Sequence, residues 1–289
     1  MNEHEMNKHG LIVKGVAGSY DVRVCGEVYT CTPRGIFRKR ETTPLVGDHV
    51  EITVTGEGIG TLHTLKPRKN ELRRPPVANI DQVIITVATA QPAFNAGLLD
   101  RFLVLAEYAE IPAVICVNKS DLAVCEMFEP YAKTGYTIVY TSALDDTGLK
   151  DLRNIMAGRL NVFAGPSGVG KSSLINALSP GLGLETGGLS TKLGRGKHTT
   201  RHTEIFMLGA SAEDGYCVDT PGFTSLDVAE IHKNELAQLF PEFRELTAEC
   251  KFGNCLHVKE TGCAVKDSVG GKVHPLRYDG YLKIIELCR

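Results

Sequence analysis

Gly165-Pro166-Ser167-Gly168-Val169-Gly170-Lys171-Ser172 is the stretch from which the rest of the chain can be read. It fits G-x-x-x-x-G-K-[ST], the phosphate-binding loop pattern, at every fixed position. Asn161-Val162-Phe163-Ala164 before it is short and apolar, as a buried strand should be. Ser173-Leu174-Ile175-Asn176-Ala177-Leu178 after it reads as the first turns of a helix. A Gly-rich turn that matches by chance is the competing reading, and the flanking strand and helix weigh against it. Glycines let the backbone wrap a phosphate so that successive N–H groups face its oxygens. The helix N-terminus adds partial positive charge. Lys171 is expected to reach the β- and γ-phosphates, and the Ser172 hydroxyl to bind Mg²⁺.

The 289 residues suit two or three domains, and 43% hydrophobic content allows a sizeable core. A formal net charge of −2 provides no global attraction to nucleic acid, so such binding would need local patches. Nine cysteines, an odd number spread along the chain, argue against a disulfide framework and for a reducing cytosol. The stretch Met1-Asn2-Glu3-His4-Glu5-Met6 lacks the apolar core of a secretory signal, and no apolar run approaches the ~20 residues of a membrane span. The expectation is a cytoplasmic protein with no membrane partner.

Residues 10 to about 66 read as all-β. Short runs rich in β-branched residues (11–13, 20–24, 27–31, 49–54) are punctuated by Gly18, Gly26, Gly47, Gly56 and Gly58. About five short strands suit a small barrel, with an OB-fold favoured. Two basic clusters decorate it: Arg34, Arg38, Lys39 and Arg40, then Lys66, Arg68, Lys69, Arg73 and Arg74. Phe37 offers a ring for stacking on a base. Solvated barrel loops and a charged linker are the competing reading. Pro75-Pro76 reads as a stiff linker, placing a boundary near residue 70.

From Val83 strands and helices alternate. Residues 82–88 form a continuous apolar run, as in a parallel strand covered on both faces. Residues 98–108 and 149–156 are expected helices, and 112–117, 136–140, 203–208 and 216–218 expected strands around a long polar segment, 181–202. This is a doubly wound α/β pattern, with ligand expected at the carboxyl ends of the strands. Asn118-Lys119-Ser120-Asp121 follows the second strand. A carboxylate there can accept from N1–H and the 2-amino group of guanine, a donor pair that adenine lacks. Lys119 can cover the base, and Asn118 can tie the loop to neighbouring strands. Ser142 and Ala143 end the third strand and could offer a backbone N–H to the base oxygen, although Ser-Ala is also an ordinary turn. Asp219-Thr220-Pro221-Gly222 ends the last strand, where Asp219 can hold Mg²⁺ and the Gly222 N–H can sense a γ-phosphate. The candidate nucleotide set is Asn118 to Asp121, with Ser120 in the loop, Ser142, Ala143, Gly165 to Ser173, Asp219 and Gly222. Cys250, Cys255, His257 and Cys263 form a C-x4-C-x-H-x5-C group suited to a closed tetrahedral Zn²⁺ site, against a reading of scattered free cysteines. Cys25, Cys31, Cys116, Cys125, Cys217 and Cys288 lack ligand spacing and are expected to be packing residues.

Together these motifs resemble those of translation-factor-type GTPases, in an unusual order. Asn118–Asp121 and Ser142-Ala143 precede the phosphate loop, and Asp219–Gly222 follows it. A permuted GTPase with a small barrel before it and a Cys/His module after it is similar to the ribosome small-subunit-dependent GTPase A family. The resemblance spans nearly the whole chain. It implies a circularly permuted P-loop GTPase domain (71–226) between an N-terminal OB-fold RNA-binding barrel (1–70) and a C-terminal helical zinc-binding domain (227–289). It implies GTP hydrolysis with Mg²⁺, one structural zinc, and the small ribosomal subunit and its rRNA as partner. A monomer is expected. Residues 194–202 resemble the first switch. A threonine there would join Ser172 on Mg²⁺; the family pattern points to Thr200, and the sequence leaves Thr199 open. Phe223 stands where Ras-like enzymes carry the water-orienting Gln. The resemblance implies that His198 takes that task. Two rivals remain: an RNA-binding module whose nucleotide is a structural ligand, and an ATP-using enzyme.

Overall fold

The computed structural model describes residues 7–35, 37, 43–73, 76–123, 126–183, 203–219 and 227–289. Arg38 to Arg40, Arg74, Cys125, His198 to Thr200, Gly222 and Phe223 lie outside them, as does the side chain of Asp219.

The first five strands are β1 (Asn7–Val16), β2 (Ser19–Val24), β3 (Glu27–Pro33), β4 (His49–Gly56) and β5 (Ile59–Leu65). Their pairings run β1–β2–β3–β5–β4 and back to β1, closing a ring in which only β3–β5 is parallel. This is the OB-type barrel. Closure removes every free edge by giving each strand two partners. In β1, the longest strand, the two partners lie along different halves. Its first half pairs with β4 and its second with β2, and a register shift between Ile12 and Lys14 leaves Val13 as a bulge. A bulge bends and twists a strand, which lets one strand turn the corner. Ile12, Val22, Cys31, Ile52 and Leu62 fill the interior at 0% exposure.

Phe37 is also buried in this core, so its ring is not presented for base stacking. The second basic cluster is largely neutralised within the chain. Arg68 donates to both oxygens of the buried Asp48 (2.7 and 2.8 Å), Lys66 pairs with Glu51 and Lys69 with Asp81. Cys25 sits exposed in a turn rather than in packing; Cys31, Cys116, Cys217 and Cys288 are buried.

A short hairpin, β6 (Glu71–Arg73) with β7 (Pro76–Ala78), leads to the mostly parallel half of the main sheet. Its strands are β8 (Gln82–Ala88), β9 (Ala113–Asn118), β10 (Thr137–Tyr140), β11 (Leu160–Ala164), β12 (Glu204–Met207) and β13 (Tyr216–Asp219), in spatial order β10-β9-β8-β11-β13-β12. All neighbours are parallel except β12 with β13. Every residue of β8 is buried. Val83, Ile85 and Val87 join one core with helix α1 (Ala96–Tyr108). Ile84 joins the other with α2 (Leu149–Met156) and α3 (Lys171–Leu178). Helices on both faces explain why this strand reads as an unbroken apolar run. At the amino end of the sheet the buried Asn161 donates to Met156 O (3.0 Å) and Tyr216 O (2.9 Å) and accepts from Gln82 Nε2 (2.7 Å). Two sheet neighbours and a helix end are thereby pinned to β11.

The C-terminal residues form short helical turns and one longer helix, α4 (Pro275–Ile285), packed on α1. At the crossing, Arg277 is fully buried. Its guanidinium donates to Asp100 of α1 and to Glu242 (Nε to Oε1, 2.7 Å), between the rings of Phe240 (4.6 Å) and Tyr131 (5.2 Å). Burial pushes the Asp100 carboxyl upward, and the Arg277 charge pulls it back. Asp100 is held so close to the passing helix that a Cβ on Gly280 would lie 1.9 Å from its Oδ2. Gly to Ala inside a helix ordinarily stabilises by about 1 kcal/mol. Here the clash is with a pinned, buried carboxylate, and overpacking of this kind costs roughly 1–3 kcal/mol. The sign therefore reverses: Gly280→Ala is expected to lower the urea midpoint of unfolding, and a raised midpoint would contradict this packing.

Candidate active site and metal centre

The carboxyl ends of β8, β9, β10, β11 and β13 meet at one rim of the parallel sheet, and the motif loops leave from there. Gly165 (φ 134°) begins the phosphate loop directly against β8. A Cβ there would lie 2.1 Å from Thr86 O. Gly170 (φ 93°) ends the loop against β9, where a Cβ would lie 2.3 Å from Asn118 Nδ2. Both glycines are thus required twice, for the left-handed backbone and for the closeness of the β8 backbone at one and of the Asn118 side chain at the other. Gly168 (φ 81°) supplies the turn between them. Lys171 opens α3, and its Nζ donates to Gly165 O (2.8 Å) and Pro166 O (2.7 Å), lying across the concave loop. Burial pulls the Lys171 ammonium below the usual lysine value. Ser172 and Ser173 are half-buried in the first turn, and Val169 is buried.

Asn118 ends β9. It is buried, donates from Nδ2 to Val169 O at 2.8 Å and accepts from Thr141 Oγ1 at 3.3 Å. One side chain therefore joins the phosphate loop, the β9 loop and the β10 loop. Lys119 (φ 58°) turns back across the phosphate loop, with Nζ donating to Gly168 O (2.9 Å) and to Gln91 O. Ser120 N donates to Thr141 O (3.1 Å), which fixes the β9 and β10 loops side by side. Asp121 is exposed. Ser142 is buried; its amide donates to Thr147 O (3.0 Å) and its Oγ accepts from Leu144 N (3.3 Å). Backbone pairing of Val218 with Val162 brings Asp219, the end of β13, to the same rim.

One contributor has no motif. The Thr89 amide donates to Asn118 O (3.2 Å) and its hydroxyl to Lys119 O (2.5 Å), so the segment after β8 buttresses the β9 loop. The available signal was its position alone, since it follows a central parallel strand at the carboxyl end.

In the C-terminal module Cys250, Cys255, His257 and Cys263 place their donor atoms within 4.8 Å of one another. Cys250 Sγ lies 4.0 Å from Cys263 Sγ and 3.5 Å from His257 Nδ1, and His257 Nδ1 lies 3.3 Å from Cys263 Sγ. Zn–S bonds of 2.3 Å at tetrahedral angles give edges of about 3.8 Å, so the group fits zinc with no coordination position left open. His257 adopts φ 58°, and the turn carrying it is held by Glu260, whose carboxylate accepts from Leu256 N, Val258 N and Lys259 N, each at 2.9 Å. Burial alone would raise that carboxyl; the amides hold it at about 2. Burial also lowers the His257 imidazole from its usual value and pushes the Cys263 thiol up to about 12, so a thiolate there calls for a cation. Tyr278 and Tyr281 of α4 donate to His257 O (2.7 Å) and Leu256 O (2.8 Å), tying the cluster to the helix that crosses α1.

A family model described as the RsgA GTPase matches residues 65–229, and one described as the RsgA N-terminal domain matches residues 9–62. The chain belongs to the RsgA GTPase family. It is 47% identical over 283 residues to a small ribosomal subunit biogenesis GTPase RsgA of Alkaliphilus metalliredigens (strain QYMF), covering 96% of each chain. It is 44% identical to the Bacillus subtilis (strain 168) protein of the same name, again covering 96% of each. Among solved structures it resembles YloQ, a circularly permuted GTPase, with a TM-score of 0.82 and 38% identity over 99% of this chain and 96% of that one. It also resembles YjeQ from Thermotoga maritima, with a TM-score of 0.84 and 36% identity over 97% and 98%. The fold is therefore a circularly permuted GTPase with an N-terminal barrel and a C-terminal Cys/His module. No helix among the described residues is long and apolar enough to cross a membrane.

The donor set leads to a direct test. Cys255→Ser and Cys263→Ser proteins are expected to lose bound zinc by elemental analysis and to melt several degrees lower, and chelation should lower the melting point of the parent protein likewise. Undiminished metal in both variants would exclude the site.

Proposed function

We propose that the chain is a GTPase of small-subunit maturation that binds GTP with Mg²⁺ at the rim of the parallel sheet, hydrolyses it, and leaves the subunit once GTP is spent. The observation that carries this reading is the Asn118–Val169 hydrogen bond. It sets a guanine-reading loop against a phosphate-binding loop, as a single nucleotide requires.

Asp121 accepts from the guanine N1–H and 2-amino groups, and the stem of Lys119, drawn across the loop by its bonds to Gly168 and Gln91, covers the base. With the Ser142 amide taken by Thr147, Ala143 supplies the N–H for the base oxygen. Amides of Gly165 to Ser173 surround the phosphates. Lys171 exchanges its two carbonyl partners for phosphate oxygens and balances the charge that grows on them in the transition state. Ser172, Thr200 and Asp219 would hold Mg²⁺, which supplies further charge neutralisation on the phosphates, and Gly222 would donate to the γ-phosphate. His198 orients a water whose oxygen attacks the γ-phosphorus. The bond to the bridging oxygen breaks, and GDP and phosphate leave. The curated relatives are named for small ribosomal subunit biogenesis. On that basis the subunit and its rRNA are the partners, gripped by the barrel and the zinc module. The same reading makes the chain a cytoplasmic monomer.

Asp121→Asn is expected to lower GTP affinity about 100-fold or more and to create affinity for xanthosine triphosphate, because an acceptor becomes a donor. Unchanged GTP preference, or equal affinity for ATP in the parent protein, would remove the guanine assignment. His198→Ala should leave GTP binding within about threefold while phosphate release stimulated by small subunits drops roughly 100-fold. Full turnover in that variant would overturn the role of His198. Negligible phosphate release by the parent protein, even with subunits, would favour nucleotide as a structural ligand.

A further inference from the structure

The barrel and the GTPase sheet are one continuous hydrogen-bonded sheet. They are joined where β1 pairs antiparallel with β12, with Lys14 opposite Glu204. The bulge at Val13 makes this possible, since it turns the second half of β1 away from β4 and towards β12. Two side-chain contacts reinforce the seam: Lys14 Nζ lies 2.9 Å from Glu204 Oε2, and Arg23 NH1 of β2 lies 3.0 Å from Met207 Sδ. On its other side Glu204 stands opposite Asp219 in the β12–β13 register. A single cross-strand row, Lys14–Glu204–Asp219, thus runs from the barrel to the proposed Mg²⁺ carboxylate. In sequence, Glu204 stands two residues after the end of stretch 194–202, which holds His198 and Thr200.

We propose that Lys14 and Glu204 are positioning residues for subunit-stimulated hydrolysis: the pair transmits docking of the barrel on the subunit to the strand entered from the first-switch stretch and to the end of β13. This rests on the GTPase reading above and adds the route by which the partner is sensed. Neither residue touches nucleotide, so the unstimulated reaction does not depend on them.

The test uses the full chain with purified small subunits. Lys14→Glu and Glu204→Lys are each expected to reduce the stimulation of kcat about fivefold or more, the lower range of measured couplings between sites. The unstimulated rate and the subunit affinity should stay within about twofold, and the Lys14→Glu/Glu204→Lys double variant should regain most of the stimulation. The milder Lys14→Met and Glu204→Gln variants, checked by thermal melting, guard against misfolding from reversed charge. Full stimulation in the single variants overturns the proposal. So does a double variant that stays uncoupled, or a loss explained by weaker subunit binding. If the parent protein itself is not stimulated, the GTPase reading falls along with the coupling, an outcome distinct from a stimulated parent whose variants behave like it.

Discussion

A side-chain amide from one half of the GTPase sheet holds the phosphate loop of the other half. Asn118 donates to Val169 O, and the loop comes near enough to be held because Gly165 and Gly170 carry no Cβ. The interaction is local in space and indifferent to chain order. Permutation is tolerated for that reason: β8, β9 and β11 lie side by side whether the chain visits the Asn118–Asp121 loop before or after the phosphate loop. What the site cannot tolerate is bulk at two backbone positions, since one would displace the backbone of β8 and the other the Asn118 side chain.

Outside the sheet, two attachments of different physical character fix the flanking modules. The barrel is joined through backbone pairing and a half-exposed ion pair, an arrangement with little desolvation to overcome and little net stability to give. The C-terminal module is joined through a buried guanidinium between two carboxylates and two rings. Such a group is costly to bury and far costlier to break, because loss of one partner strands the others without water. It contributes geometry above all, since only one crossing of α4 over α1 satisfies Asp100, Glu242 and the space at Gly280 together.

The parallel sheet was legible because burial on both faces imposes an unbroken apolar run, as in Gln82–Ala88, and such runs survive any reordering. The barrel was legible as a count of short strands. Strand β5, with Gly60, His63 and two threonines, carries too weak an apolar pattern to stand out beside Gly56-Glu57-Gly58. Charge and aromatic composition misled where tertiary contacts decide: Phe37 fills the barrel core, and Arg68 serves Asp48. The motif residues that share the rim could be picked out because each motif has a fixed spacing at a strand end. Thr89 escaped because a hydroxyl capping a carbonyl leaves no spacing to find. The Arg277 junction escaped for a similar reason, its members standing at positions 100, 242 and 277, with no motif linking them.

The scrambled order also bears on how the chain assembles during synthesis. Strands β8, β9 and β10 form neighbouring parallel pairs from one continuous stretch, so the half that carries Asn118 can gather while the phosphate loop is still to be made. The barrel, complete by Leu65, waits far longer for its place in the sheet, because the residue that receives Lys14 comes 190 positions later. Nascent chains therefore carry a finished barrel well before the phosphate loop and the end of β13 have been made.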